Sequence, residues 1–179
     1  MEEETQGKEE PVPQEESSGP AIEAPNWEEN PIVRKVRAQF PGTIGEVTST
    51  GHYADELTAR VSKERIVEVC RFLRDDPDLA FDYLSDLSGV DYPKREKRFE
   101  VVYHLYSISK GHRLRLKVEV GEGEAVPTMT GIWRTADWHE REAYDLLGIP
   151  FEGHPDLRRI LLPDDWEGHP LRKEYPLEG

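Results

Sequence analysis

The stretch Arg113–Val120, which reads RLRLKVEV, constrains the fold more than any other part of the chain. Leucine and valine occupy every second position, and charged residues occupy the positions between them. Because the side chains of a β-strand alternate between two faces, this pattern predicts a strand with one buried and one solvated face. The segment RFEVVYHLYSI has the same rhythm, and SKGH lies between the two segments. Together they predict an antiparallel hairpin in a sheet that helices cover on one side only.

Two helices are predicted in the first half of the chain. NPIVRKVRAQFPG predicts a short helix at about 31–39 that stops at Pro41-Gly42. Ser62 is placed to cap a second helix, KERIVEVCRFLRDD, which Asp75-Asp76-Pro77 ends. Cys70 lies on the apolar stripe of that helix, which predicts a buried core thiol.

Three further segments have less regular patterns. TIGEVTST and HYADELTARV predict two strands around Gly51, and FDYLSDLSGVDY fits a turn of helix that passes into a strand. A third helix is predicted at about Asp137–Leu147, with Gly148 at its C-terminal cap. Asp137 as the N-cap residue places Glu140 at the spacing of a capping box.

The order of these elements predicts an α+β fold. We expect a two-layer sandwich of a mostly antiparallel sheet with helices on one face, followed by an extended irregular C-terminal arm. The α+β domain spans 30–150. The arm spans 151–179 and is rich in proline and glycine. Because it is too irregular to bury Phe151, Leu161, Leu162 and Trp166 itself, we expect it to dock on a partner subunit.

The first 29 residues differ in composition from the rest. Residues 1–30 contain ten glutamates and one lysine, so they carry −9 of the net charge of −14. Such a segment has little to bury and is predicted to be a disordered acidic tail. It lacks the basic and apolar parts of a secretory signal and the arginines of a transit peptide. The negative charge of the chain also argues against a nucleic-acid partner.

Several kinds of active site are excluded by the motifs. The chain has one cysteine, too few for an internal disulfide or an iron–sulfur cluster, which indicates an intracellular protein whose redox chemistry lies on another chain. HEREA begins like a zinc-protease helix, but Ala143 stands where the second histidine is needed. Neither a serine nucleophile elbow nor a glycine-rich nucleotide loop is present. A free-standing metal hydrolase that uses His139, Glu140 and His154 remains as an alternative of a different class.

A helical wheel assigns the charges of the third helix to structural roles. Ala143, Leu146 and Leu147 form its apolar face, and Arg141, Glu142 and Asp145 fall on the opposite side. Arg141 and Asp145 have the spacing of an i,i+4 ion pair. Glu140 lies on the flank of the apolar face, where a carboxylate needs a partner. Arg158 and Arg159 are the candidates, so we expect an ion-pair lattice that holds the arm onto this helix or onto another subunit.

The same region resembles the signature of the C-type, or 30-kDa-type, subunit of respiratory complex I, the proton-pumping NADH:quinone oxidoreductase. The resemblance spans about Ile32 to the C-terminus and includes FDYLSDLSGVDYP, VPTMTGIWRTADWHERE and EGHPLRKEYPL. The signature residues present are Glu140, Arg141, Glu142, Asp145, Leu146, Leu147, Gly148, Ile149, Gly153, His154, Pro155, Arg158 and Arg159.

The resemblance implies a non-catalytic subunit of the peripheral arm. It implies no cofactor in this chain, with FMN and iron–sulfur clusters in partner subunits. The foremost partner is the large D-type subunit, which forms the quinone cavity with the B-type subunit, followed by other peripheral-arm subunits. The chain meets the membrane only through the complex, and we expect it on the cytoplasmic side of a bacterial inner membrane. Related subunits also serve complexes fed by ferredoxin-type donors and membrane-bound hydrogenases, so the electron donor stays open.

Overall fold

The computed structural model of the protein describes residues 29–49 and 57–176. Residues 1–28 of the acidic tail, Gly51 and the start of the predicted second strand lie outside this range. The elements are α1 Pro31–Gln39, β1 Ile44–Ser49, β2 Leu57–Val61, α2 Ile66–Asp75, β3 Tyr83–Asp91, β4 Phe99–Tyr106, β5 Arg113–Val120, β6 Val126–Pro127, α3 Ala136–Leu147 and β7 Phe151–Glu152.

The main sheet has five strands in the order β1-β2-β5-β4-β3. Three of its four strand pairs are antiparallel, including the predicted β4–β5 hairpin, and β2 pairs with β5 in parallel. β6 and β7 form a separate parallel pair that joins the start of the C-terminal arm to the segment before α3. The prediction of a mostly antiparallel sheet in an α+β fold is therefore confirmed.

The alternation along β5 produces the buried face of the sheet. Leu114, Leu116, Val118 and Val120 are almost completely buried, whereas Arg113 is exposed on the other face. The apolar stripes of α1 and α2 join these leucines and valines in one core. Burial of apolar surface at roughly 25 cal/mol per Å² is the main force that holds the helices on this side of the sheet.

The second helix starts later than the sequence predicts. Ser62 makes no side-chain capping bond, and a 3-10 turn at Lys63–Arg65 precedes α2. Cys70 lies in the core as predicted, fully buried among the residues of the α2 stripe. Burial raises the pKa of its thiol, because the charged thiolate loses its hydration.

The ambiguous segment FDYLSDLSGVDY contains β3, and a β-bulge explains its mixed pattern. The register shifts between Leu84 and Asp86, so Leu84 and Leu87 both face the core although they are three residues apart. That spacing imitates a helix, because a bulge inserts one residue into the alternation of a strand.

α3 begins at Ala136, and the predicted capping box is absent. Thr135 occupies the N-cap position without a side-chain capping bond, so the assignment of Asp137 as N-cap is wrong. Gly148 ends the helix in the left-handed conformation with φ of 73°, as predicted. In the described residues, no helix has the length and apolar character needed to cross a membrane.

α3 approaches β3 closely at Gly89. A Cβ atom at this position would lie 2.5 Å from Leu147 Cδ1 and 2.9 Å from Ile149 Cδ1. Both of these side chains are buried, so they have little room to move away. Glycine therefore sets the distance between the end of α3 and the sheet.

We expect Gly89→Ala to lower the free energy of unfolding by about 1–3 kcal/mol, because the added methyl group overpacks this contact. Gly45→Ala is the matched control, since its Cβ would meet Arg60 Cβ at an ordinary 3.7 Å. Urea denaturation followed by circular dichroism measures both. Equal losses in the two variants would contradict the close-approach argument.

Candidate functional site

The end of α3 is completed by the C-terminal arm. The last four carbonyl groups of a helix have no partner within the helix, and their partial negative charge favours cationic donors. In α3 one is bonded by the cap glycine and the other three by residues of the arm. The bonds are Gly148 N–H to Tyr144 O (2.8 Å), His169 Nδ1 to Asp145 O (2.8 Å), Leu171 N–H to Leu146 O (3.0 Å) and Arg172 Nε to Leu147 O (2.8 Å).

Asp145 is fully buried and binds the arm through its carboxylate. Oδ2 accepts three consecutive backbone N–H groups, those of Ile160, Leu161 and Leu162, at 2.8–3.0 Å. Oδ1 accepts from Arg159 Nη1 at 2.6 Å. Burial alone raises the pKa of Asp145, but these bonds outweigh burial and lower it to about 2. The carboxylate therefore stays charged at neutral pH.

Arg159 and Arg141 both donate hydrogen bonds to backbone carbonyl groups of the arm. Arg159 also donates to the carbonyl oxygens of Trp166 and Gly168, so it ties two parts of the arm together. Arg141 donates to the carbonyl oxygens of Arg158 and Arg159. The predicted i,i+4 pair between Arg141 and Asp145 is therefore wrong, because the arm inserts between helix and solvent and supplies different partners.

Glu140 is fully buried and does not pair with either arginine. Its Oε1 accepts from Met129 N–H at 2.6 Å, and its Oε2 accepts from Thr128 Oγ1 at 2.5 Å. The predicted pairing of Glu140 with Arg158 or Arg159 is wrong, because the loop before α3 reaches this carboxylate instead. Burial raises the pKa of Glu140 to about 7, although the two hydrogen bonds act in the opposite direction.

His154, in the Gly-His-Pro turn, lies beside Glu140 of α3. Its side chain is fully buried, with Nε2 4.0 Å from Glu140 Oε2. Nδ1 accepts from Asp156 N–H, so the ring proton sits on Nε2 and points to Asp137 O at 3.2 Å. Gly153 provides the positive φ of 79° that the turn needs, and Pro155 is exposed. This histidine fills a structural position within the turn.

Glycine is required at position 148 for two reasons. Its φ of 73° is a left-handed conformation, and a Cβ atom would lie 2.6 Å from His169 Nε2 and 2.7 Å from Arg172 Nη2. The glycine thus ends the helix and leaves space for the arm to cross its end.

The far end of the arm is held at a second point. Arg98 forms a two-bond ion pair with the buried carboxylate of Asp91, and Lys173 N–H donates to the same carboxylate. Glu174 also binds Arg98. Arg172 pairs with Glu122 at 2.8 Å. The described part of the arm is therefore held at two separate points on its own chain.

The arm and α3 together form an exposed groove of about 500 Å³. Its wall is mostly apolar and includes Trp138, Ile160 and Leu161. Trp138 is 69% exposed and Leu161 is 61% exposed, so the groove presents neighbouring large apolar side chains to solvent. Exposure of Leu161 and Trp166 agrees with the sequence prediction, whereas Phe151 is buried in the core, and that part of the prediction is wrong.

The remaining predicted site residues lie at the surface. Glu142 is exposed on the rim of the groove, and Arg158 is exposed and pairs with Asp156 at 2.9 Å. Within residues 29–49 and 57–176, no three histidine, cysteine, aspartate or glutamate side chains are grouped so as to hold a metal ion. His139 instead faces Asp86, with 3.7 Å between Nδ1 and Oδ1.

Comparison with known proteins agrees with the signature in this region. The family model described as "Respiratory-chain NADH dehydrogenase, 30 Kd subunit" matches residues 59–179. The chain belongs to this family. It is 52% identical to the C-type subunit of NADH-quinone oxidoreductase from Roseiflexus sp. strain RS-1, an alignment that covers 82% of this chain and 83% of the relative. It is 58% identical to the C-type subunit numbered 2 of NADH-quinone oxidoreductase from Rhizobium meliloti strain 1021, covering 75% and 74%.

A solved structure has the same fold as this member of the 30 Kd subunit family. It comes from the membrane-bound sulfane sulfur reductase, described as an archaeal respiratory membrane complex. The TM-score is 0.68 at 25% sequence identity, and the match covers 82% of this chain and 85% of the other.

Sequence reasoning missed several members of the site in this 30 Kd family chain. Thr128 and Met129, which bind Glu140, belong to a loop without periodic signal. The contacts of His169 and Arg172 with the end of α3 depend on the path of the arm. Trp138 had a usable signal, because the helical wheel puts it on the same side as Glu142, away from the apolar face.

The raised pKa of Glu140 predicts a pH-dependent stability. Folding raises the pKa of Glu140 from 4.5 to about 7, so the protonated carboxyl favours the folded state. This contribution to stability is complete below pH 4.5 and is lost as the pH rises through about 7. The slope is about 1.4 kcal/mol per pH unit in that window. We expect Glu140→Gln, which stays neutral, to remove this slope.

Urea denaturation of the parent and of Glu140→Gln from pH 5 to 8 measures the difference in the free energy of unfolding. It should shift in favour of the variant up to about pH 7 and then level off. Parallel profiles for the two proteins would rule out titration of Glu140 in this window.

We expect Asp145→Asn to destabilise the protein by roughly 3–5 kcal/mol, because it leaves Arg159 without its buried partner. Amide hydrogen exchange at Ile160, Leu161 and Leu162 should accelerate together, since all three amides donate to Asp145 Oδ2. Asp156→Asn is the control, because within the described residues the Asp156 carboxylate forms only an exposed pair with the Arg158 side chain. Unchanged exchange in Asp145→Asn would show that the carboxylate does not hold this turn.

Proposed function

We propose that the chain is a non-catalytic subunit of the peripheral arm of a proton-translocating NADH:quinone oxidoreductase. In this role it binds no cofactor and supports electron transfer from NADH to quinone by holding the quinone-site module in place. The D-type subunit is its foremost partner, and FMN and iron–sulfur clusters belong to other subunits. The peripheral arm lies on the cytoplasmic side of a bacterial inner membrane, and this chain reaches the membrane only through the complex.

The observation that carries this proposal is that the residues resembling catalytic groups form hydrogen bonds and ion pairs within their own chain. Glu140, Asp145 and Arg159 are all bound to groups of their own chain. Asp145 and Arg159 fix an irregular arm in one position, with Leu161 and Trp166 exposed, while Glu140 holds the loop before α3. A fixed arm with exposed apolar side chains fits a role in holding another protein. The named relatives are themselves subunits of an oxidoreductase.

A related complex with another electron donor is the second candidate. The solved structure with the same fold belongs to a sulfane sulfur reductase, which favours this candidate. The chain is 52% and 58% identical to two NADH-quinone oxidoreductase subunits but 25% identical to the sulfane sulfur reductase chain. This difference favours NADH as the donor. No observation favours the metal hydrolase, because Glu140 is bound by Thr128 and Met129 while His139 faces Asp86.

The test uses two neighbouring arginines in the intact complex. Arg159→Ala should reduce the amount of assembled complex on native gels of membranes, and NADH:quinone activity should fall in proportion, because the arm loses its buried ion pair. Arg158→Ala is the matched control, since in the part of the chain that the structure describes the Arg158 side chain pairs only with exposed Asp156. If Arg159→Ala left assembly intact, the proposed role of the arm would be wrong.

A further inference from the structure

Three side chains lie in a row along the exposed side of α3 and the turn before it. Trp138 and Glu142 are four residues apart in α3, so they lie on the same side of the helix, and Arg134 lies in the turn just before it. All three are exposed and line the groove that Ile160 and Leu161 close on the other side. We call Arg134, Trp138 and Glu142 the α3 stripe.

The two charged side chains of the α3 stripe are unpaired within the part of the chain that the structure describes. Among those residues, neither the Arg134 guanidinium nor the Glu142 carboxylate has a hydrogen-bond or ion-pair partner. This contrasts with Arg98, Arg159 and Arg172, which all pair with carboxylates of the chain. Tryptophan and arginine are residue types enriched in binding hot spots, so exposed Trp138 and Arg134 match that composition.

We propose that the α3 stripe docks a segment of another subunit that inserts a large apolar side chain beside Trp138, with a carboxylate facing Arg134 and a lysine or arginine facing Glu142. This inference rests on the proposed function, because it assumes an assembly in which another subunit is present.

A protein segment fits the groove better than the other occupants. A second copy would present the same concave surface, and two facing grooves leave the space between them empty, which forfeits packing contacts. An anionic lipid surface is disfavoured because Glu142 stands beside Trp138 and the chain carries a net charge of −14. An apolar side chain flanked by both signs of charge fills the groove and pairs both ends of the stripe.

The docking partner is identified by crosslinking in native membranes. The photoreactive residue p-benzoyl-phenylalanine replaces Trp138 in one strain and Ile108 in another. Ile108 is 65% exposed on the connection between β4 and β5 and does not line the groove, so it is the matched control. We expect a crosslink from position 138 to a different subunit of the complex, at a segment with an acidic and a basic residue around an apolar one, and none to that segment from position 108.

Substitutions test the energetic role of the stripe. Trp138→Lys should reduce incorporation of the chain into the complex by roughly tenfold or more, and Ile108→Lys should not. Arg134→Glu and Glu142→Arg should each weaken incorporation, and each should be rescued by reversing the charge of the crosslinked partner residue. Thermal unfolding of the isolated Trp138→Lys chain should match the parent, since the side chain is exposed.

The outcomes separate this inference from the proposed function. Normal incorporation of Trp138→Lys into the complex would overturn the stripe as a docking site and leave the proposed function standing. A crosslink from position 138 to a second copy of the chain, or to lipid, would also overturn it. Failure of the unmodified chain to copurify with any oxidoreductase subunit would overturn the proposed function and this inference with it.

Discussion

The capture of the Asp145 carboxylate by the arm is the interaction on which this region depends. A negative charge in the last turn of a helix is unfavourable by itself, because it faces the negative end of the helix dipole. Removing it from water adds a further cost. Three backbone amides and one guanidinium offset both. This carboxylate therefore ties the arm to the end of the helix and, through these bonds, offsets the cost of its own burial.

The parts of the fold with a regular period follow from the sequence. β5 matches its alternation residue for residue, and the stripe of α2 lies in the core as the helical spacing indicates. β3 could not be assigned in the same way, because the bulge after Leu84 breaks the alternation. A bulge has no single-residue signature, so its effect is visible only when the neighbouring strand is in place.

The site was harder to predict than the fold for a related reason. A helical wheel treats α3 as an isolated helix and puts Asp145 on the solvent side, whereas the arm covers that side and buries it. The sequence indicated that the Glu140 carboxylate needs partners. It did not identify Thr128 and Met129, because no local sequence pattern predicts the position of their loop. The cap at Gly148 was predictable, because the left-handed conformation is a local preference of glycine. Local signals thus identified which residues matter, and tertiary packing decided with whom they pair.

The dependence of the groove on the arm has a consequence for the order of events during biosynthesis. Chains fold from the N-terminus as they leave the ribosome, and β2 gains its parallel partner only after β5 has emerged. Ile160 and Leu161, which close the groove, are held in place by Asp145 Oδ2. A ribosome-bound chain that has not yet reached Leu161 therefore lacks one wall of the groove. The surface beside α3 is complete only after this part of the arm has been translated.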